Sequence, residues 1–282
     1  MRIVVTGVNG QLGYDVVREL NKRKYTEVFG IDINELDLTN QNAVKAYMSN
    51  IKPDAIIHCA AYTAVDNAED NSDLCYDVNV SGTKYLVESA KDLNSKFVYI
   101  STDYVFSGEK DTEYLVNDVP EPKSVYGKTK YLGEVETLKY KKHFIIRISW
   151  VFGKNGNNFI KTMIRLGKER EVLNIVSDQI GSPTYTYDLS KLIVDMIETD
   201  KYGIYHATNE GICNWFEFAQ KIFEYSNIDV KLNPIPTDKY PTKAKRPKNS
   251  TMSKKNLVDN GFELLPPWQD ALKRYLKEIE VI

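Results

Sequence analysis

The 282-residue sequence has little of what small or secreted folds use as staples. Its three cysteines, Cys59, Cys75 and Cys213, form no C-x-x-C pair and no ligand-spaced cluster with His58, His143 or His206. A disulfide framework or structural zinc site is therefore not expected, free thiols suit a reducing compartment, and the histidines read as structural. No stretch approaches the ~18 consecutive apolar residues of a membrane span. The first apolar run, Ile3–Val5, stops at the Gly7 turn and is too short for a secretion signal, so the expected location is the cytoplasm. A charge excess is missing too. A net charge of −2 speaks against general affinity for nucleic acid or an anionic membrane surface. What remains is an ordinary soluble composition, 42% hydrophobic and 27% charged.

Short Ile/Val-rich runs alternate with helical stretches. The strands expected are Arg2–Thr6, Glu27–Asp32, Asp54–Ala60, Lys96–Ser101 and Phe144–Ser149. The helices expected are Gln11–Lys24 (with Leu12, Val16, Val17 and Leu20 on one face), Tyr76–Asp92, Phe159–Glu169 and Tyr187–Glu198. The pattern predicts an α/β fold, a Rossmann-like doubly wound parallel sheet with a smaller C-terminal substrate-binding lobe. Residues 1–150 plus about 183–203 would form the dinucleotide-binding domain, and about 151–182 and 204–282 the smaller lobe. Six of the prolines fall in that tail, from Pro234 to Pro267, where a central sheet is not expected.

The first strand runs into Thr6-Gly7-Val8-Asn9-Gly10-Gln11-Leu12-Gly13 and then a helix. Gly7 serves a tight turn, Gly10 a close approach to a pyrophosphate, and Gly13 close helix–sheet packing. The helix N-terminus supplies a positive dipole end. Asp32, nineteen residues after Gly13, ends the second strand at the spacing of a carboxylate that accepts from an adenosine ribose. It repels a 2′-phosphate and so leans toward NADH; Arg2, Lys22 or Arg23 would have to accommodate NADPH. Asp37 and Leu38 follow at the adenine edge. Ala60 and Ala61 leave room at the end of the third strand.

Tyr126 and Lys130 stand four apart, on one helix face. A nearby cation would bring a phenol's pKa down from ~10, toward the range where it transfers a proton to a carbonyl oxygen. Ser101-Thr102-Asp103 ends the fourth strand at the ligand side of such a sheet, so Thr102 would join Tyr126 at the substrate carbonyl.

Nine stretches carry a resemblance: TGVNGQLG (Thr6–Gly13), DLTN (Asp37–Asn40), HCAAYTAVDNAE (His58–Glu69), STDYVFSG (Ser101–Gly108), YGKTK (Tyr126–Lys130), SWVFG (Ser149–Gly153), NNFIKTM (Asn157–Met163), DQIGSPT (Asp178–Thr184) and KRPKNS (Lys245–Ser250). Together they resemble the extended short-chain dehydrogenase/reductases, in particular a branch that reduces a dTDP-sugar ketone at C4 for cell-surface polysaccharide. The resemblance implies NADPH or NADH on Gly10, Gln11, Leu12, Asp32, Asp37, Leu38, Ala61, Tyr62, Thr63, Tyr126 and Lys130. It implies Tyr126 as proton donor with Lys130 and Thr102 assisting, and substrate contacts from Thr102, Asp103 and Trp150. Arg246, within a basic run, suits the sugar-nucleotide pyrophosphate. The family is also associated with a divalent ion such as Mg2+ at an acidic dimer contact; Asp15 and Asp188 fall near those positions, with shorter side chains. The chain would be a monomer or homodimer.

Two other readings stay open. One is a 4,6-dehydratase or 4-epimerase of the same fold, although Tyr104 stands where a dehydratase carries its second acid. The other is a non-catalytic regulatory subunit resembling that of methionine adenosyltransferase. Asn79 either braces the active-site helix or caps a turn.

Overall fold

The structure, a computed structural model, describes residues 1–23 and 27–282. Six parallel strands form the central sheet: β1 (Arg2–Thr6), β2 (Glu27–Ile31), β3 (Ala55–His58), β4 (Lys96–Thr102), β5 (His143–Ile148) and β6 (Gly203–His206), in the order β6-β5-β4-β3-β1-β2. The side-chain period of two sorts β1 between the faces. Ile3 and Val5 pack toward α1 (Gln11–Lys22) and α6 (Thr186–Ile197), and Val4 packs toward α2 (Gln41–Ile51) and α3 (Gly82–Leu93). Burial on both faces is what keeps these strands almost continuously apolar. The expected extension of α1 to Lys24 lies outside the described residues.

The order reverses between β1 and β3, which opens a crevice over the carboxyl ends of the strands. Everything expected of the ligand side emerges there: the turn after β1, Asp32 after β2, Ala60 after β3, Thr102 ending β4 and Trp150 after β5.

Three boundaries differ informatively. The stretch expected as one helix over Tyr76–Asp92 begins earlier, at Ser72, and passes through a π-helical turn, Asp77–Ser81, before α3. Such turns re-aim side chains, and this one points Asn79 at the loop after β3. Strand β6 pairs with β5, so residues 204–206 belong to the central sheet rather than to the smaller lobe. Leu257, Phe262 and Leu265 also pack into the sheet's core.

The smaller lobe has its own core. It comprises α5 (Phe159–Glu169), α7 (Trp215–Ser226), α8 (Trp268–Glu278) and a two-stranded parallel ladder of Val172–Val176 with Lys231–Ile235. Among the described residues no helix is long and apolar enough to cross a membrane.

Candidate active site

The glycine turn is shaped by contact as much as by conformation. Gly7 has φ +70°, and a Cβ there would sit 2.7 Å from the Ala60 nitrogen. A Cβ on Gly13 would lie 2.2 Å from the Gly7 carbonyl oxygen. Any side chain at either position would push β1, β3 and α1 apart. Gly10 occupies the N-cap of α1 with no side-chain cap, leaving the first-turn N–H groups for an anion.

Asp32 is oriented rather than free to swing. Oδ2 accepts the Asn9 N–H at 3.0 Å and Oδ1 the Ile33 N–H at 2.8 Å. No lysine or arginine lies between Ile31 and Thr39. The three cations considered for a 2′-phosphate are elsewhere. Arg2 begins β1, at the amino end of the sheet, and donates to the Ile51 carbonyl; Lys22 and Arg23 stand at the far end of α1, with Arg23 paired to Glu19 and Asp195. The expectation that they serve the cofactor is corrected by the direction of β1 and α1. Gln11 lines the crevice, but its side-chain oxygen accepts from the Gly153 N–H and the Asn158 amide. Its amide nitrogen and its main-chain N–H remain as donors for a phosphate.

Tyr126 and Lys130 lie on α4 (Val125–Thr137), capped by Ser124, whose Oγ accepts the Gly127 N–H at 3.1 Å. The Thr102 and Tyr126 side chains line the same cavity. Thr102 Oγ1 donates to Asp103 Oδ1 at 2.9 Å, and Ser250 Oγ donates to Asp103 Oδ2 at 2.5 Å. Burial pushes the Asp103 carboxyl up to about 6 against those hydrogen bonds. Lys130 is 3% exposed with Nζ 4.1 Å from the centre of the Tyr99 ring, and burial brings it down to about 7 although the Glu134 carboxylate opposes the shift.

Tyr126 runs counter to expectation. Burial raises its pKa, Thr102 opposes that rise, and the Asp103 charge reinforces it. Desolvation of the phenolate outweighs any help from Lys130. Tyr126 therefore holds its proton at neutral pH, the form a proton donor needs.

Asn79 resolves as a brace. Its Oδ1 accepts the Tyr62 N–H at 2.8 Å and its Nδ2 donates to Thr129 Oγ1 at 3.1 Å, tying the loop after β3 to α4. Behind the site, Glu134 takes Ser101 Oγ at 2.5 Å and Arg147 Nη2 at 2.7 Å, a buried pair with both charges satisfied. His58 bridges Thr6 and Thr83, and burial lowers it to about 3, a structural role as expected from its spacing.

Gly7, Gly10, Gln11, Leu12, Gly13, Asp32, Asp37, Leu38, Ala60, Ala61, Tyr62, Thr63, Thr102, Asp103, Tyr126, Lys130 and Trp150 all line one cavity of about 750 Å3. Arg246 does not. It lines a second cavity of about 400 Å3 that shares Asp103, Tyr104, Trp150 and Val151 with the first. This second space is aromatic. Trp150, with φ +49°, stacks on Trp215 at 3.7 Å between ring centres, and Phe159 flanks them. Gly181 lets that ring in: a Cβ there would be 2.7 Å from Trp150 Cε2. Sequence reasoning missed Tyr104, Trp215 and Gln179. Only Tyr104 and Gln179 stood within quoted motifs; Trp215 had no local signal.

The acids considered for a divalent ion do not fit one. Arg274 grips Asp188 with both terminal nitrogens, at 2.8 and 2.6 Å. Glu278 is held by Arg18 and by the Tyr185 hydroxyl. Asp15 takes Thr186 Oγ1 at 2.5 Å, and burial raises its pKa. Arginines fill the positions that a cation would neutralise. Among the described residues no group of three or more His, Cys, Asp or Glu is placed to hold a metal.

A reversed parallel sheet, an uncapped helix end over its crevice and a Tyr/Lys/Thr group beside it define a dinucleotide-dependent oxidoreductase of the Rossmann type. The comparisons carry this further. The pattern described as the RmlD substrate binding domain matches residues 1–281. A dTDP-4-dehydrorhamnose reductase of Aggregatibacter actinomycetemcomitans is 42% identical over 287 residues, covering 96% of this chain and 97% of its own. The crystal structure of a dTDP-4-dehydrorhamnose reductase ortholog from Clostridium acetobutylicum superposes with TM-score 0.97 at 42% identity, covering 99% of this chain and all of that one. That of the Bacillus anthracis dTDP-4-dehydrorhamnose reductase in complex with NADP does so with TM-score 0.95 at 46% identity, covering 98% and 99%. The chain belongs to the RmlD family of dTDP-4-dehydrorhamnose reductases.

Proposed function

We propose that the chain transfers hydride from NAD(P)H to C4 of dTDP-4-dehydro-L-rhamnose, giving dTDP-L-rhamnose. Tyr126 protonates the developing alkoxide, Thr102 orients the phenol and the ketone, and Lys130 holds the nicotinamide ribose. Asp103 and Trp150 contact the sugar nucleotide, Arg246 takes its diphosphate, and the aromatic cavity beside Trp150 receives the nucleoside end. The remaining cavity-lining residues from Gly7 to Thr63 bind the dinucleotide. The observation that carries the reading is the continuity of the two cavities through Asp103, Tyr104 and Trp150, beside Tyr126.

Asp32 and the lack of a cation between Ile31 and Thr39 favour NADH, while an NADP complex of a 46%-identical relative supports use of the phosphorylated form as well. The cytoplasm, with its pool of reduced cofactor, is the fitting compartment.

The test is an absorbance assay with enzymatically made keto-sugar and each cofactor. One NAD(P)H should disappear per product formed. Cofactor returned unchanged beside an altered sugar would point to an epimerase or dehydratase. A flat trace at saturating substrate would point to a regulatory subunit.

A further inference from the structure

The stretch Lys243–Pro247 reaches from the smaller lobe back onto the large one and lands on acids. Lys243 pairs with Asp70, Lys245 with Glu109 at 2.8 Å, and Arg246 Nη2 with Asp66 Oδ2 at 2.7 Å. The first two pairs are well exposed on both sides, where a single contact counts for little. Asp66 is different. Its other oxygen, Oδ1, accepts the Ala244 N–H at 3.1 Å, and Ala244 is 1% exposed. One carboxylate thus fixes the main chain of the strap and the side chain of its arginine.

Tyr104 completes the grip. Its hydroxyl accepts from Arg246 Nη1 at 2.9 Å, while its ring meets the Tyr126 ring edge-on at 5.5 Å. A guanidinium has five N–H donors, so Arg246 keeps donors for an anion after serving both partners. Asp66 lines neither cavity, whereas Arg246 lines the second.

We propose that Asp66 is a positioning residue for nucleotide-sugar binding: it sets the register of the strap and aims Arg246 at the substrate diphosphate. This rests on the reading of Arg246 as the diphosphate ligand. Two effects of opposite sign compete. The Asp66 charge weakens the pull of Arg246 on an anion; its hydrogen bonds remove the freedom that a long side chain would otherwise lose on binding. Asp66 is 39% exposed, so water screens its charge, while the two hydrogen bonds keep their geometry. Orientation wins.

The experiment uses the full chain with Asp66→Asn, which keeps an oxygen for Ala244 and loses the acceptor for Arg246. Steady-state kinetics with the keto-sugar and calorimetry with dTDP are the readouts. KM and the dTDP Kd should both rise about tenfold, as expected when a preorganised charged contact is loosened, with kcat and NAD(P)H affinity unchanged. Asp66→Glu should recover part of the loss, and Asp70→Asn should change neither constant. Unchanged or tighter dTDP binding in Asp66→Asn overturns the proposal. So does an equal loss in Asp70→Asn, which would assign the effect to strap charge in general. Arg246→Lys separates the two levels. If it leaves dTDP binding intact, the diphosphate reading of Arg246 falls; if it weakens binding while Asp66→Asn does not, only the positioning role falls.

Discussion

The crevice over the large sheet and the aromatic cavity of the smaller lobe adjoin each other but are built in opposite ways. The crevice is made largely of backbone and of short segments that follow strands: Gly7 to Gly13, Asp32 to Leu38, Ala60 to Thr63. Each segment stands where its strand ends, so a parallel sheet delivers all of them to one edge. The aromatic cavity is made of side chains drawn from remote parts of the sequence. Trp150, Phe159, Gln179, Trp215, Tyr240 and Arg246 meet there only because the smaller lobe folds back on itself. A dinucleotide site can follow from local order, whereas a substrate pocket needs the whole fold.

If that division is also a division of labour, damage at the junction should be worst. Tyr126→Phe keeps the ring packed against Tyr104 and removes only the hydroxyl that carries the proton. Turnover should fall by a factor of ~100 or more, the usual cost of losing a positioned acid. Fluorescence titration should find cofactor binding little changed. Near-normal turnover would show that Tyr126 is not the donor.

Damage confined to the smaller lobe should show in substrate affinity. Trp215→Ala removes the ring stacked on Trp150 at 3.7 Å and frees a residue whose φ of +49° needs support. KM for the sugar nucleotide should rise by about five- to tenfold, the scale of one lost aromatic pair plus some buried area, with NAD(P)H affinity unaffected. Equal losses for cofactor and sugar nucleotide would mean that the cavities are one mechanical unit.

The same contrast explains what was legible. Spacing alone located the turn, Asp32 and the Tyr126/Lys130 pair, because each is a statement about neighbours along the chain. The strand and helix periods likewise located five of the six sheet strands. Strand β6 escaped because Gly203–His206 is a short edge strand that gains its meaning only by pairing with β5. The pKa of Tyr126 was misjudged for a related reason. A lysine four residues away is visible in sequence, but the burial that outweighs it is not. Arg246 was visible as one of a basic run, yet its partners Asp66 and Tyr104 lie 180 and 142 residues away.

Cofactor choice gives a smaller effect within the crevice. Asp32 is held by the Asn9 and Ile33 N–H groups, so it presents a fixed negative charge where a ribose 2′ position would lie. Asp32→Ala should weaken NADH by several-fold, the scale of one net hydrogen bond of about 1 kcal/mol. NADPH should be held as well as before or better, since a repulsive charge has gone. Binding constants for both cofactors in the same buffer decide it; an equal loss for the two would remove Asp32 from ribose recognition.

The smallest expected effect is none, and it concerns a contact between the two lobes. Helix α8 of the smaller lobe docks on α1 and α6 through Arg18–Glu278 and Arg274–Asp188. Asp188 is 4% exposed and spends both oxygens on Arg274, with Asn209 Nδ2 adding a third hydrogen bond at 3.0 Å. A divalent ion entering there would have to displace charge-assisted, two-point hydrogen bonds, which are among the strongest side-chain contacts. The cluster would then carry two freed guanidinium groups beside a new double positive charge. A chelator should therefore leave the thermal midpoint and the sedimentation behaviour of the protein unchanged, and millimolar Mg2+ should not raise the midpoint. A midpoint that falls with chelator and returns with Mg2+ would show that the arginines yield to a metal, and that the lobes are joined through an ion after all.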